Sequence, residues 1–140
     1  MADEPERPPD RFVLAYGDGP EMAEVSNVEE LDALLDRITG EARADQCPCG
    51  VHIRTEAEWD GPRMSLGIGR DFSYLTFMTW HVDGDLDPGK PTEWWCGNDR
   101  GEIPAHRGIP VQTAREAARE FVRTGDLPTN VAWADNEASP

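Results

Sequence analysis

The residues best suited to chemistry are three cysteines, three histidines and an acidic cluster. Cys47 and Cys49 flank Pro48, with His52 three residues on and Cys96 far downstream. One residue between cysteines is too few for an ordinary zinc knuckle, where ligands stand two to four residues apart. A fourfold Cys47, Cys49, Cys96, His52 site exists on paper, but the expectation is a reduced loop pair plus one strand cysteine, without metal or other cofactor. His81, Asp83 and Asp85 could imitate an acid–base group; a solvated strand end is the commoner outcome. No His-x-x-x-His or Glu-x-x-His spacing occurs at His52, His81 or His106, so metal-hydrolase signatures are absent. Asp83-Gly84-Asp85-Leu86-Asp87 opens like a calcium loop, but Pro88 stands where the turn needs glycine and Trp94 where the closing glutamate belongs. Gly67-Ile68-Gly69-Arg70-Asp71-Phe72 lacks the third glycine of a nucleotide fingerprint. Ser65 and Ser73 lack a nucleophile-elbow context, and Lys90 is the sole lysine. These residues predict no catalytic constellation.

The elements that would position them follow from periodicity. Phe12 to Tyr16 is a strand-like run, and Glu21 to Val25 returns as a second strand after a Gly-Asp-Gly-Pro turn. Ser26 with Glu29 reads as a capping box. Val28, Leu31, Leu35 and Ile38 then form one helical stripe, so a first helix is predicted at about 27–39, stopped by Gly40. Four strands follow: Val51 to Thr55, Arg63 to Gly69, Tyr74 to Trp80, and Glu93 to Cys96. Short turns between them argue an antiparallel meander. Tyr74 to Trp80 is apolar on both sides, as in a central strand covered on both faces. A second helix is predicted at about 111–124, with Ala114, Ala117, Ala118, Phe121 and Val122 on its buried face and Gly125 as its stop. A last strand is expected at Asn130 to Trp133. The sum is an α+β fold: a mostly antiparallel sheet of about six to seven strands with two helices packed on one face. Residues 12–133 form the expected single domain, between a disordered acidic, Pro-rich tail at 1–11 and a flexible tail at 134–140.

Charge narrows the function classes. The chain has 140 residues, 13 Lys plus Arg and 28 Asp plus Glu, for a net charge of −15. Nucleic-acid binding needs clustered basic side chains to meet phosphates, and docking on anionic lipid needs the same. Neither is expected. A basic protein partner, or high solubility, fits instead. No apolar run approaches a membrane span, and the acidic start MADEPERPPDR is unlike a signal peptide, so the cytosol is the expected compartment. Among the aromatics, Trp94 and Trp95 are adjacent on one strand and must point to opposite faces, which makes one of them a candidate partner-facing anchor.

The stretch Ala117 to Trp133 holds a Glu120-Phe121 pair on a helix, a Thr124-Gly125 stop, Pro128, and a Val131-x-Trp133 ending. Upstream lie Trp94-Trp95-Cys96-Gly97, Glu102-Ile103-Pro104 and Leu66-Gly67-Ile68-Gly69. In these features the chain resembles the immunity protein 1 family of bacterial polymorphic-toxin systems. The likeness covers about 12–133 in layout, with its specific motifs mostly within 94–133. The Cys47-Pro48-Cys49 loop and the Pro-rich start depart from that pattern. The resemblance implies a non-enzymatic cytosolic antidote, monomeric when free, that binds a secreted toxin domain, often a nuclease or nucleic-acid deaminase. An acidic antidote would suit the basic groove of such an enzyme. The expected contact residues are Asp83, Asp85, Asp87, Glu93, Trp94 and Trp95. The acidic face of the first helix (Glu29, Glu30, Asp32, Asp36) stands second. The alternative function is a small metal-binding protein or metal-dependent enzyme built on Cys47, Cys49, Cys96 and His52.

Overall fold

The structure, a computed structural model, describes residues 11–16, 22–55, 62–86, 88–96 and 99–135. The elements run β1 (Phe12–Ala15), β2 (Met22–Val25), α1 (Val28–Ala44), β3 (Cys49–Thr55), β4 (Arg63–Ile68), β5 (Leu75–Phe77), β6 (Trp80–His81), β7 (Thr92–Cys96), β8 (Asp99–Ile103), α2 (Val111–Thr124) and β9 (Ala134–Asp135). A short 3₁₀ turn at Ala105–Arg107 precedes α2. Seven strands lie in the order β2-β1-β3-β4-β5-β6-β9. All neighbours on that path are antiparallel. The β7–β8 hairpin branches off it through one parallel bridge, Cys49 to Trp95. This is the α+β fold expected, with both helices on one sheet face.

Strand alternation decides what each face carries. Phe12 and Leu14, Val51 and Ile53, Met64, Leu66 and Ile68, and Leu75 and Phe77 are all buried and build the core under the helices. From α1 come Leu31, Leu34, Leu35, Ile38 and Ala42, and from α2 Ala114, Ala117, Ala118, Phe121 and Val122. Phe121 sits at the centre, with edge-on ring contacts to Phe12 at 5.2 Å and Phe77 at 5.4 Å. The alanines of α2 let the helix lie close enough to the sheet for that single large ring to reach both strands. Across the outer side of the helix pair, Asp32 accepts from Arg119 at 2.9 Å and Asp36 from Arg115 at 2.8 Å.

Several local expectations are corrected. The cap of α1 is Asn27, whose Oδ1 accepts the Glu30 N–H at 2.8 Å, while the Ser26 N–H donates to the Glu30 side chain at 2.7 Å. The capping box is therefore one residue later than Ser26 and Glu29. Gly40 does not stop the helix, which runs on to Ala44 because Ala42 extends the buried stripe. The expected strand from Tyr74 to Trp80 folds back on itself at Met78–Thr79, pairing Phe77 with Trp80. Met78 takes φ 57° there, with no Gly, Asn or Pro to mark the turn in sequence. Strand β8 went unexpected because Asp-Arg-Gly-Glu-Ile has no apolar alternation. The last strand lies at Ala134–Asp135, while Trp133 packs on the core and its Nε1 donates to the Pro128 carbonyl at 2.8 Å. No helix among the described residues is long and apolar enough to cross a membrane.

Candidate functional site

The six expected contact residues fall into two groups. The first is the connection from β6 to β7. Asp83 and Asp85 are exposed there, followed by Leu86, one of two large apolar side chains exposed among the described residues. Asp87 lies outside the described residues. The carboxylate of Asp83 is not a free charge: its Oδ1 lies 3.1 Å from His81 Nε2 and 3.5 Å from His106 Nε2.

The second group is on β7, where side chains alternate. Trp94 points inward, 2% exposed, and is part of the buried interior. Its indole lies over the helix-free face of the sheet, where Gly50 and Gly67 face each other across β3 and β4. Two strand positions without side chains leave a slot that the ring fills. Phe72 and Tyr74 flank it at 5.8 and 5.2 Å, the Arg70 guanidinium stands 5.2 Å from its centre, and its Nε1 donates to Thr92 at 2.9 Å. Trp94 therefore holds the β7–β8 hairpin against the sheet. Glu93 and Trp95, both partly exposed, fall on the opposite side of β7 from Trp94.

The second-ranked surface, the acidic face of α1, is largely engaged within the molecule. Asp32 and Asp36 meet Arg115 and Arg119, and Glu30 serves the helix start. The helix-free sheet face has a different character. Val13, His52, Arg54, Arg63, Ser65 and Met78 line a concave surface there. On it His52 Nδ1 and Ser65 Oγ lie 2.6 Å apart. Clustered arginines on so acidic a chain are invisible in its net charge.

Of the cysteine constellation, the described members Cys47, Cys49 and His52 do not converge. Cys49 is buried, and its thiol contacts the Gly50 carbonyl at 3.6 Å. His52, three residues along the same strand, projects from the other face. Cys47 is exposed in the loop before β3. His106 is not among the residues expected to form a site with Asp83. Its neighbours Ala105 to Gly108 carry no periodic or motif signal, and only the tertiary fold brings it to Asp83.

No curated protein shows significant similarity to the chain. A family model described as Immunity protein Imm1 matches residues 19–135, a span that takes in every strand and helix described except β1. With most of its length inside that match, the chain belongs to the Imm1 family of immunity proteins.

Proposed function

We propose that this immunity protein neutralises a toxin domain that acts on nucleic acid, a nuclease or a deaminase, by covering its basic substrate groove or active site. The observation that carries the reading is the net charge of −15. An enzyme that grips nucleic acid needs a groove lined by Lys and Arg, and the field of an acidic protein draws it to such a groove. The contact surface is assigned to Asp83, Asp85 and Asp87 in the β6–β7 connection, with exposed Leu86 as its apolar element, and to Glu93 and Trp95 on the outward side of β7. Trp94 is left out of that surface because its ring is buried. The acids of α1 rank second, since Asp32 and Asp36 already meet arginines of α2. The concave sheet face carries Arg54 and Arg63, the wrong sign for a basic groove. In this reading the domain, which extends past 133 to take in β9, acts by binding alone, without catalysis, as a monomer before it meets the toxin, in the cytoplasm of the cell that carries both genes of the polymorphic-toxin pair.

The test uses the toxin captured by the tagged chain from its own cells. Replacing Asp83, Asp85 and Asp87 together by Asn should slow association at low salt. The difference should shrink as the Debye length falls from about 10 Å at 0.1 M to about 3 Å at 1 M. Trp95→Ala should instead speed dissociation, by about 2 kcal/mol if the ring is an anchor. Association rates unchanged by the triple variant across the salt series would remove the loop from the interface and move it to α1.

A further inference from the structure

Two histidines and an aspartate converge beside the acidic loop. His81 Nε2 and Asp83 Oδ1, two residues apart at the end of β6, and His106 Nε2 from the turn before α2 supply ligand atoms all within 4.8 Å of one another. The two nitrogen-to-oxygen separations are 3.1 and 3.5 Å. Ligands held about 2.0–2.1 Å from a tetrahedral zinc ion lie about 3.4 Å apart, so both separations already match edges of that polyhedron. Two imidazoles and one carboxylate form a donor set for zinc and its neighbours in the transition series. Calcium and magnesium prefer all-oxygen sites. Among the described residues no other group of three His, Cys, Asp or Glu side chains converges in this way.

The backbone holds the cluster in place. His81 is buried and paired on both sides, to Thr76 and to Ala134. The chain after it runs against residues 106–108: the Gly84 N–H donates to the His106 carbonyl at 2.9 Å and the Leu86 N–H to the Gly108 carbonyl at 3.0 Å. A side chain at Gly84 would collide with the Gly108 carbonyl, and one at Gly108 with the Leu86 carbonyl. The approach therefore needs glycine at both positions. Ser73 and Ile109 bridge just beyond. Asp83 is thus held between the two histidines by main-chain bonds rather than by its own side chain alone. A ligand set fixed before the ion arrives gives up little conformational entropy on binding it.

We propose that His81, Asp83 and His106 bind one divalent transition-metal ion of the zinc class. The imidazoles coordinate through Nε2 and the carboxylate through Oδ1. The remaining coordination position faces solvent, on the side where the Asp83 and His106 side chains are about three-fifths exposed.

The experiment is a zinc titration of the chelator-stripped full chain, followed by calorimetry and by thermal unfolding. One equivalent should bind near neutral pH and raise Tm, and magnesium should leave Tm unchanged. His106→Ala removes an exposed side chain and should leave the fold intact, yet lower zinc affinity more than tenfold, since loss of mere outer-shell partners costs about 10–100-fold. Asp83→Asn should act likewise. Cys47→Ser should keep wild-type affinity, because that thiol is outside the cluster. No zinc binding by the wild type would overturn the proposal. So would binding that survives His106→Ala, or that is lost with Cys47→Ser.

Discussion

Gly67→Ala asks whether Trp94 is a wedge in the fold or a ring free to face a partner. A Cβ at Gly67 would stand 2.7 Å from both Cε3 and Cη2 of Trp94 and closer still to Cζ3. Carbon atoms rest at about 3.5–4.0 Å, so the added methyl is short of room by about 1 Å. The ring has little freedom to yield. It is 2% exposed, flanked by Phe72 and Tyr74, and tied through Nε1 to Thr92. Overpacking of this kind costs about 1–3 kcal/mol. Gly67 has no positive φ, so alanine also recovers about 0.5–1 kcal/mol of chain entropy in a strand. The expected net loss is about 1–2 kcal/mol, a Tm drop of roughly 2–8 °C. Urea unfolding of Gly67→Ala, Trp94→Leu and the double variant measures it. The alanine should cost much less in the Trp94→Leu background, which gives a coupling of about 1 kcal/mol or more. Equal cost in both backgrounds, or a Gly67→Ala variant as stable as wild type, would refute the wedge and restore Trp94 as a candidate contact residue.

Phe121→Ala should cost about 3–5 kcal/mol in urea unfolding, because the ring fills the space between Phe12 and Phe77 and the neighbouring alanines cannot close the gap. Gly40→Ala should stabilise by about 0.5–1 kcal/mol: the site is exposed, helical, and open around the new methyl. A loss of stability there would mean that the helix ends at Gly40 after all. Asp32→Ala should lower stability by about 1 kcal/mol or more, since Arg115 and Arg119 both lean on that carboxylate and are partly shielded from water. An effect within about 0.5 kcal/mol, measured by thermal unfolding, would reduce the pair to ordinary surface charges.

Much of the fold is legible in the residues because its signals are local. The stripe Leu31, Leu35, Ile38 marks α1, the face Ala114 to Val122 with Gly125 behind it marks α2, and alternation marks β3 and β4. These patterns repeat within a few residues, so they survive without tertiary information. The family likeness at 94–133 rests on the same kind of local order. The errors come where distant contacts outweigh local preference. Gly40 looks like a helix stop, yet Ala42 finds a buried place and carries α1 onward. Met78 carries no turn signal, yet pairing of Phe77 with Trp80 bends the chain there. Trp94 and Trp95 are equivalent in sequence, and the sheet chooses between them: the bare backbone of Gly50 and Gly67 receives one indole and leaves the other outside. His106 meets His81 and Asp83 only because two glycines allow main chains 22 residues apart to lie side by side, as at Gly84 and His106. A periodic pattern is written in one segment, whereas a site assembled by backbone approach depends on both segments at once.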